Sequence, residues 1–101
     1  MKARLIDIGH CEREIPLENL PVLVGRGPDV AIQVPDRFAS RRHCEISERE
    51  GALFVRDLGS TNGSFVNGHY ASESSLRSGD MLSVGATTFV VFYESSKESQ
   101  N

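Results

Sequence analysis

Five basic residues crowd one short span of an otherwise acidic chain: Arg26, Arg37, Arg41, Arg42 and His43. Ser40 stands among them, and Thr61, Asn62 and Gly63 follow in a second polar stretch. These residue types share one competence. Guanidinium groups, hydroxyls, a side-chain amide and the backbone N–H groups of a glycine turn all donate hydrogen bonds to an anion. Arginine rather than lysine favours bidentate contact with phosphate or carboxylate. Taken singly, each has a plainer explanation: Arg26 as a solvated charge, Ser40 as a cap, Asn62 as a turn residue that accepts positive φ. Taken together they point to an anion site assembled from loops.

Other chemistries fit worse. Gly63 and Gly68 have the glycine spacing of a nucleotide-binding P-loop, but His69 and Tyr70 follow where Lys and Ser or Thr are required. His10 neighbours Cys11 and His43 neighbours Cys44; adjacent strand residues face opposite ways, so neither pair chelates readily, and no metal or cofactor is expected. No Gly-x-Ser-x-Gly elbow is present, and a chain of 101 residues leaves little room for a substrate cleft, so no enzyme is expected. A net charge of −3 argues against a general nucleic-acid binder. No apolar run is long enough to cross a bilayer, and the N-terminal stretch lacks a signal core. The expectation is a cytoplasmic monomer, with Cys11 and Cys44 as reduced, packed thiols.

The elements that must position these residues read as strands. Short runs rich in Val, Ile, Leu and Phe recur at intervals of about 8–12 residues, separated by Gly, Pro, Asp, Asn and Ser, as in a sandwich or barrel. They include ARLIDI, PVLVGR, VAIQV, RHCEIS, ALFVRDL, SFVNG, DMLSVG and TTFVVFY. In RHCEIS, alternation puts His43, Glu45 and Ser47 on one face and Cys44 and Ile46 on the other. Asn62-Gly63 and Asn67-Gly68 are both tight-turn signals. In a sandwich, alternate loops gather at one end, so the loops bearing Arg26, Ser40 and Thr61 can converge. The polar residues 95–101 lack apolar anchors and are expected to be a flexible tail or linker.

Gly25-Arg26, Ser40-Arg41-Arg42-His43, Leu58-Gly59-Ser60-Thr61-Asn62-Gly63 and Asn67-Gly68, in that order, closely resemble the signature of the forkhead-associated (FHA) domain. The likeness runs on through Gly79-Asp80 and Gly85, from about Leu20 to Tyr93. It implies an all-β, two-sheet sandwich of about eleven strands, occupying residues 1–94, with ligand loops at one end. It also implies a module that binds phosphothreonine peptides.

By the same resemblance, Arg26, Ser40, Arg41 and Thr61 contact the phosphate, and Asn62 bonds the peptide backbone. His43, Gly25, Gly63, Asn67 and Gly68 support the site, with Gly25 permitting the turn beside Arg26 and Asn67-Gly68 forming a hairpin turn. Ser64 stands where the family usually has threonine, and it keeps the hydroxyl. Phe38 lies near where some members select ligand residues, and an aromatic there suggests an apolar preference. The implied partner is a protein marked by a Ser/Thr kinase, or the kinase itself, with no nucleic acid or membrane. The opening methionine suggests an N-terminal module. The competing expectation is a phosphate-independent interaction or oligomerisation scaffold.

Overall fold

A computed structural model describes residues 1–9 and 13–94; the expected tail at 95–101 and Cys11 lie outside the described residues. Eleven strands form two sheets, and no helix occurs among the described residues. They are β1 (Ala3–Asp7), β2 (Glu14–Leu17), β3 (Val22–Gly25), β4 (Ile32–Gln33), β5 (Cys44–Arg49), β6 (Ala52–Asp57), β7 (Ser64–Val66), β8 (His69–Tyr70), β9 (Glu73–Leu76), β10 (Met81–Val84) and β11 (Thr87–Tyr93). One sheet runs β2-β1-β11-β10-β7-β8 and the other β4-β3-β5-β6-β9. All pairs are antiparallel except β3 with β4.

The alternation seen in the sequence becomes the core. Leu5, Leu82, Val84, Phe89 and Val91 point inward from one sheet, against Val24, Ile46, Leu53, Val55 and Leu76 from the other, all fully buried. Burying such a side chain contributes about 1.5–3 kcal/mol. Three strands escape the apolar signal. β2 contains Pro16, tolerated because β2 is an edge strand whose outer side needs no ladder donor. β9, with the sequence ESSL, buries only Leu76, and β8 is two exposed residues.

Sheet register decides where the loops go. β5 is antiparallel to both β3 and β6, so the ends of β3 and β6 lie beside the start of β5. Val24, Cys44 and Asp57 occupy one row across the three strands. The loops that leave β3 and β6, and the one that enters β5, therefore emerge at the same end.

Candidate functional site

At that end the three loops are stitched to one another. The Thr61 backbone N–H donates to Ser40 Oγ (3.0 Å), and Asn62 Nδ2 donates to the Phe38 carbonyl (2.8 Å). Arg26 Nε donates to the Ala39 carbonyl (3.0 Å), while the backbone N–H groups of Arg26 and Gly27 bond the carbonyls of Ser40 and Arg41. Holding Arg26 through Nε restrains its fork and leaves the two terminal nitrogens available as donors. Ser40 keeps its hydroxyl hydrogen for another acceptor, and Asn62 keeps a second amide hydrogen and its oxygen. Arg26, Arg41, Thr61 and Asn62 are exposed, and Ser40 is half-buried.

His43 lies beneath these loops with no exposed surface. Its Nδ1 accepts the Ser40 N–H (3.0 Å), so Nε2 carries the hydrogen and donates it to the Gly63 carbonyl (2.8 Å). One imidazole thus spans the Ser40 and Thr61 loops. Strand alternation placed His43 with the half-buried Glu45 and Ser47. It escapes that pattern because β5 begins only at Cys44, and its ring turns inward between two loops. The Cys44 thiol is free and fully buried, and burial pushes its pKa up to about 12.

The sequence reading passed over three aspartates. Asp57, the last residue of β6, accepts from Ser60 Oγ (2.6 Å), the Ser60 N–H (3.0 Å) and the buried Ser64 Oγ (2.7 Å). Ser60 Oγ in turn accepts the Gly63 N–H. Burial pushes the Asp57 carboxyl up, but the bonds from Ser60 and Ser64 outweigh it and hold the group below its ordinary range. Asp36 is similar: its carboxylate takes the N–H groups of Phe38 (2.8 Å) and Ala86 (2.6 Å) and the Thr87 hydroxyl (3.0 Å). Those bonds overcome burial and keep Asp36 acidic. The signal for both is a short side-chain-to-backbone offset, Asp57 to Ser60 and Asp36 to Phe38, typical of aspartate turns. Asp29 pairs with Arg42 (2.5 Å), which lowers its pKa and occupies Arg42.

Two structural assignments change. Gly25 does not have positive φ; it ends β3, and a Cβ there would overlap the Arg41 carbonyl oxygen and crowd the Ser40 one. Close approach of the 40–41 backbone, not a turn conformation, requires glycine. The two Asn-Gly pairs also differ. Asn67 (φ 51°) and Gly68 (φ 83°) are both left-handed and link β7 to β8 by a two-residue turn, whereas in the earlier pair only Gly63 (φ 87°) is. Asn67 also does more than turn: its Oδ1 accepts the Met81 N–H (2.9 Å) and its Nδ2 donates to Asp80 (3.1 Å), tying the hairpin to β10.

An all-β sandwich that presents arginine and hydroxyl side chains on conjoined end loops defines a loop-based ligand-binding module. The chain belongs to the FHA domain family, whose model matches residues 22–85. It is 45% identical over 53 residues to the FHA domain-containing protein FhaB of Mycolicibacterium smegmatis, a match covering 52% of this chain and 34% of that protein's length. A structure solved in a structural and functional analysis of phosphothreonine-dependent FHA domain interactions superposes with a TM-score of 0.87. It shares 31% identity and covers 93% of this chain and 98% of its own. Mycobacterium tuberculosis EmbR, in complex with a low-affinity phosphopeptide, superposes with a TM-score of 0.87 at 27% identity, over 94% of this chain and 25% of that one.

Proposed function

We propose that this domain binds phosphothreonine-containing segments of a partner protein and performs no catalysis. Arg26, Ser40, Arg41 and Thr61 hold the phosphate, and Asn62 holds the ligand backbone. The observation that carries this reading is the bond from the Thr61 N–H to Ser40 Oγ, which sets two hydroxyl-bearing loops side by side next to the anchored Arg26. A phosphothreonine brings a charge of about −1.5 to −2 and three strong acceptor oxygens. An aspartate or glutamate brings less charge on a planar group and substitutes poorly. His43, Gly25, Gly63, Asn67 and Gly68 keep the loops in place. The partner is a protein phosphorylated by a Ser/Thr kinase, or that kinase, met inside the cell by a monomeric domain.

Titration of one peptide in threonine-phosphorylated, serine-phosphorylated and unmodified forms tests the reading. The phosphothreonine form binds tightest and the unmodified form does not bind. Each charge-assisted bond is worth about 1.5–3 kcal/mol, so Arg26→Ala weakens the phosphothreonine peptide about tenfold to a hundredfold. Equal affinity for all three peptides, unchanged by Arg26→Ala, overturns it in favour of a phosphate-independent scaffold.

A further inference from the structure

The peptide link between Phe38 and Ala39 is bonded on both sides. Its carbonyl accepts Asn62 Nδ2 (2.8 Å), and its N–H donates to the Asp36 carbonyl (3.0 Å). The next carbonyl, that of Ala39, accepts Arg26 Nε (3.0 Å). Successive carbonyls therefore hold the side chains assigned above to the ligand backbone and to the phosphate. Each side chain is held by one nitrogen, so the rest of the amide and of the guanidinium can donate elsewhere.

Asp36 sets the direction of those carbonyls. Its Oδ1 accepts the Phe38 N–H (2.8 Å), an aspartate turn that the Ala39 N–H closes. Its Oδ2 accepts the Ala86 N–H (2.6 Å) and the Thr87 hydroxyl (3.0 Å), where β10 turns into β11 in the opposite sheet. The same turn meets the Phe38–Ala39 link a second way. A Cβ on Gly85 would lie 2.7 Å from the Ala39 nitrogen and 2.9 Å from the Phe38 carbonyl carbon. On its own side, the Asp36 N–H donates to the carbonyl of the fully buried Val34 (2.8 Å). Asp36 is thus fixed from both sheets, and its carboxylate acts on the site only through the backbone.

We propose that Asp36 is a positioning residue: held by the β10–β11 turn, it orients the Phe38 and Ala39 carbonyls and so aims Asn62 and Arg26 together. The grip on the ligand backbone and the grip on the phosphate then form one coupled unit, set from the opposite sheet. The inference rests on the phosphothreonine reading above.

Double-mutant cycles on the full chain test it, read by fluorescence anisotropy with a phosphothreonine peptide. Asp36→Asn keeps one oxygen for the Phe38 N–H but turns an amide toward the donors of the β10–β11 turn. It weakens binding about fourfold to a hundredfold, since two side chains must be ordered on binding, each at a cost of about two- to tenfold. In the Asn62→Ala background, and separately in Arg26→Ala, the loss caused by Asp36→Asn shrinks about two- to tenfold, because one of the side chains it aimed is gone. A loss of the same size in wild type and in both backgrounds overturns the proposal, since general loosening of the loops would add to either substitution unchanged.

A second measurement needs no ligand. Proton–nitrogen NMR follows the Arg26 Nε–H and the Asn62 side-chain amide. In Asp36→Asn both signals shift and exchange faster with water, while the Asn67 amide, bonded to Asp80 (3.1 Å), keeps its place. Thr87→Val removes one donor to Asp36 and leaves the 36–43 loop intact. It moves the same two signals in the same direction and weakens binding about two- to fivefold, so both readouts survive if Asp36→Asn does not fold. Unmoved Arg26 and Asn62 signals in a folded variant overturn the proposal. If wild type shows no phosphate-dependent binding, the phosphothreonine reading falls, and the NMR signals alone decide whether Asp36 aims the two side chains.

Discussion

The Asp57 carboxylate and the Ser64 hydroxyl lie 2.7 Å apart, joining the end of β6 to the start of β7 beneath the loop that carries Thr61 and Asn62. The same carboxylate holds Ser60 twice, so one side chain fixes the loop from both sides. Asp57→Asn leaves a single oxygen where three donors now converge. It lowers stability by about 1–3 kcal/mol in urea unfolding. It also weakens phosphothreonine-peptide binding although Asp57 lies under the loop; unchanged affinity and stability together would show that the loop holds its shape without this anchor.

The same bonds set an acid limit. Asp57 and Asp36 both have folded pKa values below their ordinary range. A carboxyl depressed by folding contributes stability that is full above its unfolded value, about 3.9, and is lost as pH falls through the lower folded value. Stability should therefore hold at mildly acidic pH and drop below about pH 4, and the drop should be shallower in Asp57→Asn. Thermal melts across an acid series measure both.

His43 bridges Ser40 and Gly63 and is fully buried. His43→Ala strands the Ser40 N–H and the Gly63 carbonyl and opens a cavity, at a cost of about 2–4 kcal/mol. Because both partners sit on the ligand loops, affinity falls with stability. Amide exchange should show the loss of protection at Ser40; retained protection there would mean that the imidazole bond does not hold the loop.

Gly25→Ala places a methyl group into the Arg41 carbonyl. The 40–41 backbone must move away, at about 1–3 kcal/mol, and Ser40 moves with it. A crystal structure of the variant should show the Ser40 loop displaced, with a parallel loss of phosphopeptide affinity. Gly68→Ala supplies the comparison, since open space surrounds that position and only its positive φ resists substitution; it should cost about 0.5–2 kcal/mol and weaken binding far less than Gly25→Ala does.

Cys44 gives a check on packing. With its pKa pushed up to about 12 by burial, the thiol is protonated at neutral pH and has no exposed surface. Alkylation of Cys44 should track global unfolding in denaturant, read by mass spectrometry of its peptide. Rapid labelling of the native protein would show that the strand opens locally.

Much of the fold was legible because apolar alternation and turn residues are local signals. β5, β6, β10 and β11 announce themselves in this way; β2, β8 and β9 do not, since edge strands bury little and carry proline or polar residues. The residues of the candidate site were legible as a set, through the order of Gly25-Arg26, Ser40 to His43 and Thr61 to Gly63. The anchoring roles of Asp57, Asp36 and Asn67 were not, because each depends on which backbone N–H or hydroxyl lies within about 3 Å after folding.

The sequence by itself determined an all-β chain with arginines and hydroxyl-bearing turns in an ordered pattern, because residue type and spacing fix propensity and donor chemistry. Only the tertiary structure decided that Thr61 meets Ser40, that Gly25 must be bare for the Arg41 backbone to pass, and that Arg42 is taken by Asp29. Those outcomes turn on distances between residues far apart in the chain. Sheet register sets such distances, and no local pattern encodes them.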